Sequence, residues 1–250
     1  MNLSKQQEEF NKLLNNYSKI DIKDDKLIGT LSEGARHKVL KNFFEPDTTK
    51  HEVKIGNYYI DILNNDKVIE IQTRAFNMLR KKLEFLLPSY EVRLVLPIFS
   101  EKLIKWLDKD TLEIKEIRKS PRKGRVNDAF FELYKIKMFL DNPNLKISIV
   151  GLNVDEYKLL SGWNDTKKRG SRRHDVIPTS LEWIIDINSK LDYKKFIPEN
   201  LIEPFSSTDY AKSSKITKKR SQVALNILRH LDIVEKVGKD GRSYLYQVNK

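Results

Sequence analysis

Between His51 and Ile98 the hydrophobic period changes from two to about three and a half and back, and this limits the folds open to the chain more than any other feature. His51-Glu52-Val53-Lys54-Ile55 alternates polar and apolar residues, and Gly56-Asn57 supplies a two-residue turn. Tyr58-Tyr59-Ile60-Asp61-Ile62-Leu63 is rich in β-formers, Asn64-Asn65-Asp66 turns the chain again, and Lys67-Val68-Ile69-Glu70-Ile71-Gln72 makes a third run. From Phe76 to Leu87 the spacing is helical, with Phe76, Leu79, Leu83, Leu86 and Leu87 on one face and Pro88 closing it. Arg93-Leu94-Val95-Leu96-Pro97-Ile98 then reads as a buried strand. Upstream, Ser32 is an N-cap for a helix over Glu33–Phe44, in which Leu31, Ala35, Val39, Leu40 and Phe43 recur at near-helical spacing. The expected order is helix, three strands, helix, strand. This is an α/β core whose crossover helix lets its flanking strands lie parallel.

The remaining chain is read more coarsely. Residues 1–20 form a polar amphipathic helix, and Asp21–Thr30 is a charged connector. Leu103–Leu107 and Leu112–Ile117 flank a hairpin turn at Asp108-Lys109-Asp110-Thr111. Asn127–Leu140 predicts a helix with Ala129, Phe130, Leu133, Ile136 and Leu140 inward, Leu145–Leu152 a strand, and Pro178–Ile187 a short mixed segment. Ser120–Arg125 and Lys167–His174 are basic loops.

Composition narrows the function. The chain has 250 residues and no cysteine, which removes disulfide scaffolds, zinc fingers, iron–sulfur centres and thiol catalysis. No apolar run approaches the ~20 residues of a membrane span, and the polar start MNLSKQQEEF has no secretory h-region. The expectation is a soluble cytoplasmic protein. Lys and Arg number 47 against 35 Asp and Glu, a net charge of +12 that points to a polyanionic partner such as DNA.

The carboxylates of the core suggest chemistry. Glu70 and Gln72 share a strand face, and Asp61 lies on the neighbouring strand across a short turn, near the level of Gln72 or one step off. Two carboxylates and the Ile71 carbonyl suit a hard divalent cation, Mg²⁺ or Mn²⁺, which lowers the pKa of a bound water and neutralises phosphate charge. Glu33, His37 and Lys41 recur every fourth residue, so they share one helix face. Glu33 is placed to support a metal or base, and His37 to touch a phosphate or carry a proton. The solvated alternative leaves Asp61, Glu70 and Gln72 on an open face with no role.

A helix with Glu33, a hairpin with Asp61, the strand Ile69-Glu70-Ile71-Gln72, a helix and a strand together resemble the PD-(D/E)XK nuclease superfamily, the restriction-endonuclease-like fold, over about residues 32–98. The family's two acidic positions fall on Asp61 and Glu70, its lysine position on Gln72, and its optional helix glutamate on Glu33. Two residues depart from the pattern: Ile60 stands where proline is frequent, and Gln72 replaces the lysine. The Glu-x-Gln variant with an upstream helix histidine is similar to the nuclease domain of CoiA-type competence proteins. The resemblance implies metal-dependent phosphodiester hydrolysis, with Gln72 orienting the water.

From residue 206 the character changes. Ser206–Ala211 opens a short capped helix, Ser213–Ile216 is a turn, Thr217–Leu231 is a longer helix, and Ile233–Val237 and Ser243–Val248 flank a hairpin. Residues 206–250 hold seven Lys and three Arg against three Asp and one Glu. This order resembles the winged helix-turn-helix of bacterial regulators, with Arg220 and Gln222 reading bases, Lys218 and Lys219 holding phosphates, and Lys239 and Arg242 at the wing tip. Arg122, Lys123, Lys168, Arg169, Arg172 and Arg173 in the basic loops would clamp phosphates without reading sequence.

The expected organisation is a nuclease-like domain over residues 1–200 and a winged helix over 201–250. The expected activity is a metal-dependent DNA endonuclease in restriction, defence or DNA processing, with a homodimer supplying two active sites for a duplex cut. The alternatives are a non-catalytic winged-helix DNA-binding regulator with an inactive core, and an RNA nuclease.

Overall fold

The computed structural model describes residues 2–21, 35–108, 110–159 and 172–249. Glu33, its N-cap Ser32, most of the expected connector, and the loop residues Lys168 and Arg169 lie outside the described residues.

The protein is mixed α/β. Two helices open it, α1 (Leu3–Asp21) and α2 (Ala35–Phe44). Strands β1 (His51–Ile55), β2 (Tyr58–Asn64) and β3 (Lys67–Ile71) follow, then a 3₁₀ turn at Phe76–Leu79 running into α3 (Arg80–Leu86). β4 (Glu91–Leu107) and β5 (Ile114–Lys119) form the expected hairpin, and residues 126–139 are helical around α4 (Phe130–Leu133). β6 (Leu145–Leu159) and β7 (Arg172–Ile187) complete a seven-stranded mixed sheet in the order β1-β2-β3-β4-β6-β7, with β5 branching from β4. The tail holds β8 (Phe205–Ser206), α5 (Ser207–Ser213), α6 (Lys218–His230), β9 (Val234–Asp240) and β10 (Ser243–Val248), with a second sheet in the order β8-β10-β9. Among the described residues no helix is long and apolar enough to cross a membrane.

The chain divides into two compact units. The first comprises residues 1–51, 97–124 and 150–184. In it α1 packs Phe10 edge-on against Phe43 of α2, ring centroids 5.2 Å apart. Gln7 Nε2 donates to the carbonyls of Leu181 and Glu182 at 3.1 and 3.2 Å, so α1 occupies backbone acceptors of β7, the last strand of the sheet. An edge strand left bare would invite pairing with other chains. The Trp183 ring lies where a Cβ on Gly151 would sit, 2.1 Å from its Cε2, so the strand needs glycine there. Glu156, almost fully buried, is held by Lys102 at 2.5 Å, as a buried carboxylate requires.

The second unit comprises residues 52–96, 125–149 and 185–250. Its three-strand start follows the expected turns. Gly56 sits at φ +56° with the Phe85 ring 2.9 Å from where a Cβ would be, and Asn65 takes φ +55° at the β2–β3 turn. β2 and β3 are antiparallel, whereas β3 and β4 are parallel from Lys67 opposite Glu91 to Ile71 opposite Val95, with α3 as the crossover. Ile60, Ile62, Val68, Leu83, Leu86, Val92 and Leu94 are buried, each worth about 1.5–3 kcal/mol. Arg93 on β4 donates to Ser148 Oγ of β6 at 3.0 Å, to Asp186 Oδ1 of β7 at 3.3 Å and to Asn188 Oδ1 at 2.9 Å.

The tail is packed into this unit. Tyr210 of α5 is fully buried and donates to the Phe196 carbonyl at 2.9 Å, and Leu225, Ile227, Leu228 and Leu231 are buried. α6 approaches α4, with Lys137 Nζ donating to Asn226 Oδ1 at 3.1 Å.

Several elements differ from expectation. β6 runs to Leu159, past the expected end at Leu152, and Arg172–His174, expected in a basic loop, already belong to β7, because the two long strands neighbour each other in the sheet. The 127–140 helix is a chain of short 3₁₀ and α turns with Ile136 non-helical, yet all five residues expected inward are buried. Burial of those side chains, not helix propensity, sets the path. β4 runs to Leu107, well past Pro97; its pairing with β3 ends at Val95 and that with β5 begins at Leu103, so on that side the missing proline N–H falls in a gap. Pro178–Ile187 belongs to a 16-residue strand. β7 ends the sheet order, and an edge strand tolerates Pro178.

Candidate active site

The observed register pairs Ile62 with Ile69 and Leu63 with Val68, which sets Asp61 directly opposite Glu70. Directly opposed residues share a sheet face, so the two carboxylates meet at Glu70's level and not at that of Gln72. The Asp61 amide donates to Glu70 Oε1 at 3.4 Å, and Asp61 Oδ2 accepts the Ile71 amide at 2.7 Å. Each carboxylate thus reaches across to the other strand's backbone.

Sequence reasoning missed the third member. Lys82 Nζ, on the first turn of α3, lies 2.5 Å from Glu70 Oε1 and donates to the Tyr59 carbonyl at 2.6 Å. A signal was there: Lys82 stands three residues after Leu79 and four before Leu86, on the flank of the helix's apolar face, so its head is carried toward the sheet.

Electrostatics here is a contest between opposing effects. The Glu70 side chain is only 6% exposed and that of Lys82 14%. Burial disfavours the Glu70 carboxylate, the Asp61 carboxylate opposes it further, and Lys82 favours it; the first two win, pushing the Glu70 carboxyl up to about 7.

Gln72 follows the end of β3. Its amide donates to the Val95 carbonyl at 2.9 Å, and its side chain donates to the Arg74 carbonyl at 2.6 Å, bracing the loop that leaves the strand. His37 is half-buried on α2 and belongs to the other unit. Among the described residues no three His, Asp or Glu gather as a metal cage, so the described donor set is the Asp61–Glu70 pair with the Ile71 backbone.

The basic residues separate into exposed and engaged. Lys218, Lys219 and Gln222 are exposed on the first turns of α6, and Lys239 and Arg242 are exposed on the β9–β10 hairpin. Arg220 turns inward to an ion pair with Asp128 and lies over the Phe131 ring, 5.5 Å from its centroid. Arg125 donates to the Lys215 carbonyl, at the turn before α6. In the first unit Arg122 is exposed, and Lys123 and Lys119 bind Glu101 at 2.7 and 2.6 Å, holding its carboxyl at about 2. Arg172 and Arg173 open β7.

Residues 35–188 match a family described as a domain of unknown function, DUF8091. A protein of Treponema pallidum (strain Nichols), described as uncharacterized, is 26% identical over 221 residues, 88% of this chain and 87% of its own length. No solved structure matches.

Proposed function

The chain belongs to the DUF8091 family of domains of unknown function, and we propose that its β2–β3 pair carries a divalent-metal phosphodiesterase site that acts on DNA. The observation that carries this reading is the register that sets half-buried Asp61 directly opposite Glu70, whose side chain is only 6% exposed. Burying Glu70 against a second carboxylate is costly unless cations offset it, Lys82 in the resting protein and, on this reading, a divalent ion.

The donor set fits a hard cation. Asp61, Glu70 and the Ile71 carbonyl offer oxygen only, which suits Mg²⁺ or Mn²⁺ with water and phosphate oxygens completing the shell. Such an ion, when bound, supplies a water of lowered pKa and neutralises charge on the scissile phosphate. The chain does the rest. Asp61 is oriented by the Ile71 amide, which donates to its Oδ2 at 2.7 Å. Lys82 carries a positive charge in contact with Glu70, suited to a phosphate oxygen. Gln72, braced on the loop to Arg74, shapes the strand end.

DNA as substrate rests on charge and on the tail. The order β8-α5-α6-β9-β10, with the sheet β8-β10-β9 and Ser206 and Thr217 capping the two helices, supports reading the tail as a winged helix. Its exposed Lys218, Lys219, Gln222, Lys239 and Arg242 make a basic surface for phosphates. Arg220 would read a base only by giving up Asp128.

The tail's order also favours a second reading, a DNA-binding regulator without catalysis. Supercoiled and single-stranded DNA incubated with the protein in Mg²⁺, Mn²⁺ or EDTA separates the two. Metal-dependent breakage that EDTA abolishes supports the enzyme; binding without breakage in either metal supports the regulator.

A further inference from the structure

Glu70 already has a cation. The Lys82 ammonium is 2.5 Å from Glu70 Oε1, its stem is largely buried, and its other contact is the Tyr59 carbonyl at 2.6 Å, two residues before Asp61 on β2. The same Glu70 oxygen faces the Asp61 amide at 3.4 Å, so it lies on the side of the carboxylate that meets Asp61. Asp61, Glu70 and Lys82 together bear two negative charges and one positive. An oxygen holding an ammonium at contact distance does not also serve a divalent ion without setting two cations in direct repulsion.

We propose that Lys82 is the resident counter-ion of this site and competes with the divalent cation for Glu70, swinging off the carboxylate when the metal enters while the Tyr59 carbonyl keeps it alongside to position a substrate phosphate. The inference rests on the reading of Asp61 and Glu70 as metal ligands. It assigns Lys82 two states: a plug that lowers metal affinity in the resting protein, and a positioning residue once displaced. A purely structural lysine, one that only neutralises a buried carboxylate and ties α3 to the strands, would change stability on removal and leave metal affinity unraised.

The test is calorimetric titration of Mn²⁺ into metal-stripped full-length wild type, K82M, K82R and D61N, at fixed salt and at both about pH 7.5 and about pH 8.5, the higher value offsetting the upward push on the Glu70 carboxyl that losing the Lys82 charge adds. K82M keeps the stem and loses the charge, so it should bind Mn²⁺ about tenfold more tightly than wild type or better. K82R keeps charge and fold but grips a carboxylate with a planar fork, so it should bind about threefold more weakly. Nicking of DNA by K82M at saturating Mn²⁺ should nonetheless fall about a hundredfold. The order K82M, wild type, K82R in affinity supports competition. Wild-type binding that D61N abolishes, with K82M no tighter than wild type, overturns the inference and leaves the metal site standing. Should K82M fail to fold, K82R binding as tightly as wild type overturns it. Wild type that takes up no Mn²⁺ through Asp61 overturns the site reading and this inference with it.

Discussion

Replacing Glu70 with glutamine should remove the pH dependence that this one side chain imposes on stability. Its carboxyl is pushed from 4.5 to about 7 in the folded metal-free protein, first by burial and then by the Asp61 carboxylate, against the pull of Lys82. A group whose folded pKa is raised binds its proton more tightly folded than unfolded, so it opposes folding progressively as pH rises from 4.5 and fully above about 7. Between pH 5 and pH 8 this should cost the wild type roughly 2.5 kcal/mol. Glutamine keeps the shape and does not ionise, so the E70Q variant lacks that slope. It leaves Lys82 with the Tyr59 carbonyl and a neutral amide oxygen, a penalty that is nearly constant over this range because lysine stays charged. The assay is urea unfolding of both proteins in EDTA at several pH values. The difference between them isolates Glu70, since depressed carboxyls such as Asp192, held at about 2 by Lys195, are common to both. E70Q should gain on wild type steadily from pH 5 to pH 8. Parallel curves would refute the burial argument and the claim that Asp61 and Glu70 repel each other.

Two further changes probe packing and binding. Gly151→Ala places a methyl 2.1 Å from the Trp183 ring, and displacing the indole should cost about 1–3 kcal/mol, read by urea unfolding together with a change in tryptophan emission. Lys218→Ala and Lys219→Ala should weaken binding to specific and random duplexes alike and flatten the salt slope by about one each, in gel-shift titrations at several salt concentrations. Point changes serve better here than deletion of residues 206–250, because Tyr210, Leu228 and Leu231 are buried and truncation would open the core of their unit.

Where local pattern and tertiary burial agreed, the fold was legible. The runs at His51–Ile55, Tyr58–Leu63 and Lys67–Gln72, with glycine and asparagine at their turns, mark strands and connections to within a residue. Ser206 and Thr217 mark helix starts because their hydroxyls cap backbone amides that nothing else satisfies. Legibility failed where a proline sat in a strand that sheet position could tolerate, at Pro97 and Pro178, and where buried side chains dictated irregular turns, at 126–139. At the site, the identities of Asp61 and Glu70 were readable, but their register was one pleat off, since a hairpin's turn length is ambiguous across Asn64-Asn65-Asp66. Lys82 was hidden for a different reason. Its partner lies twelve residues earlier on another element, and only packing of α3 on the strands brings them together. Arg220 shows the converse, a residue exposed in sequence terms that the fold turns toward Asp128.

The most direct test of the central claim is single-turnover cleavage of an end-labelled DNA duplex by wild type and by Asp61→Ala, in Mn²⁺, with duplex binding measured in parallel in Ca²⁺. Wild type should cut and EDTA should stop it, whereas Asp61→Ala should lose cutting about a thousandfold while its DNA affinity stays within about threefold. Cutting by Asp61→Ala at the wild-type rate, or none by either protein in Mn²⁺ or Mg²⁺, would contradict the claim.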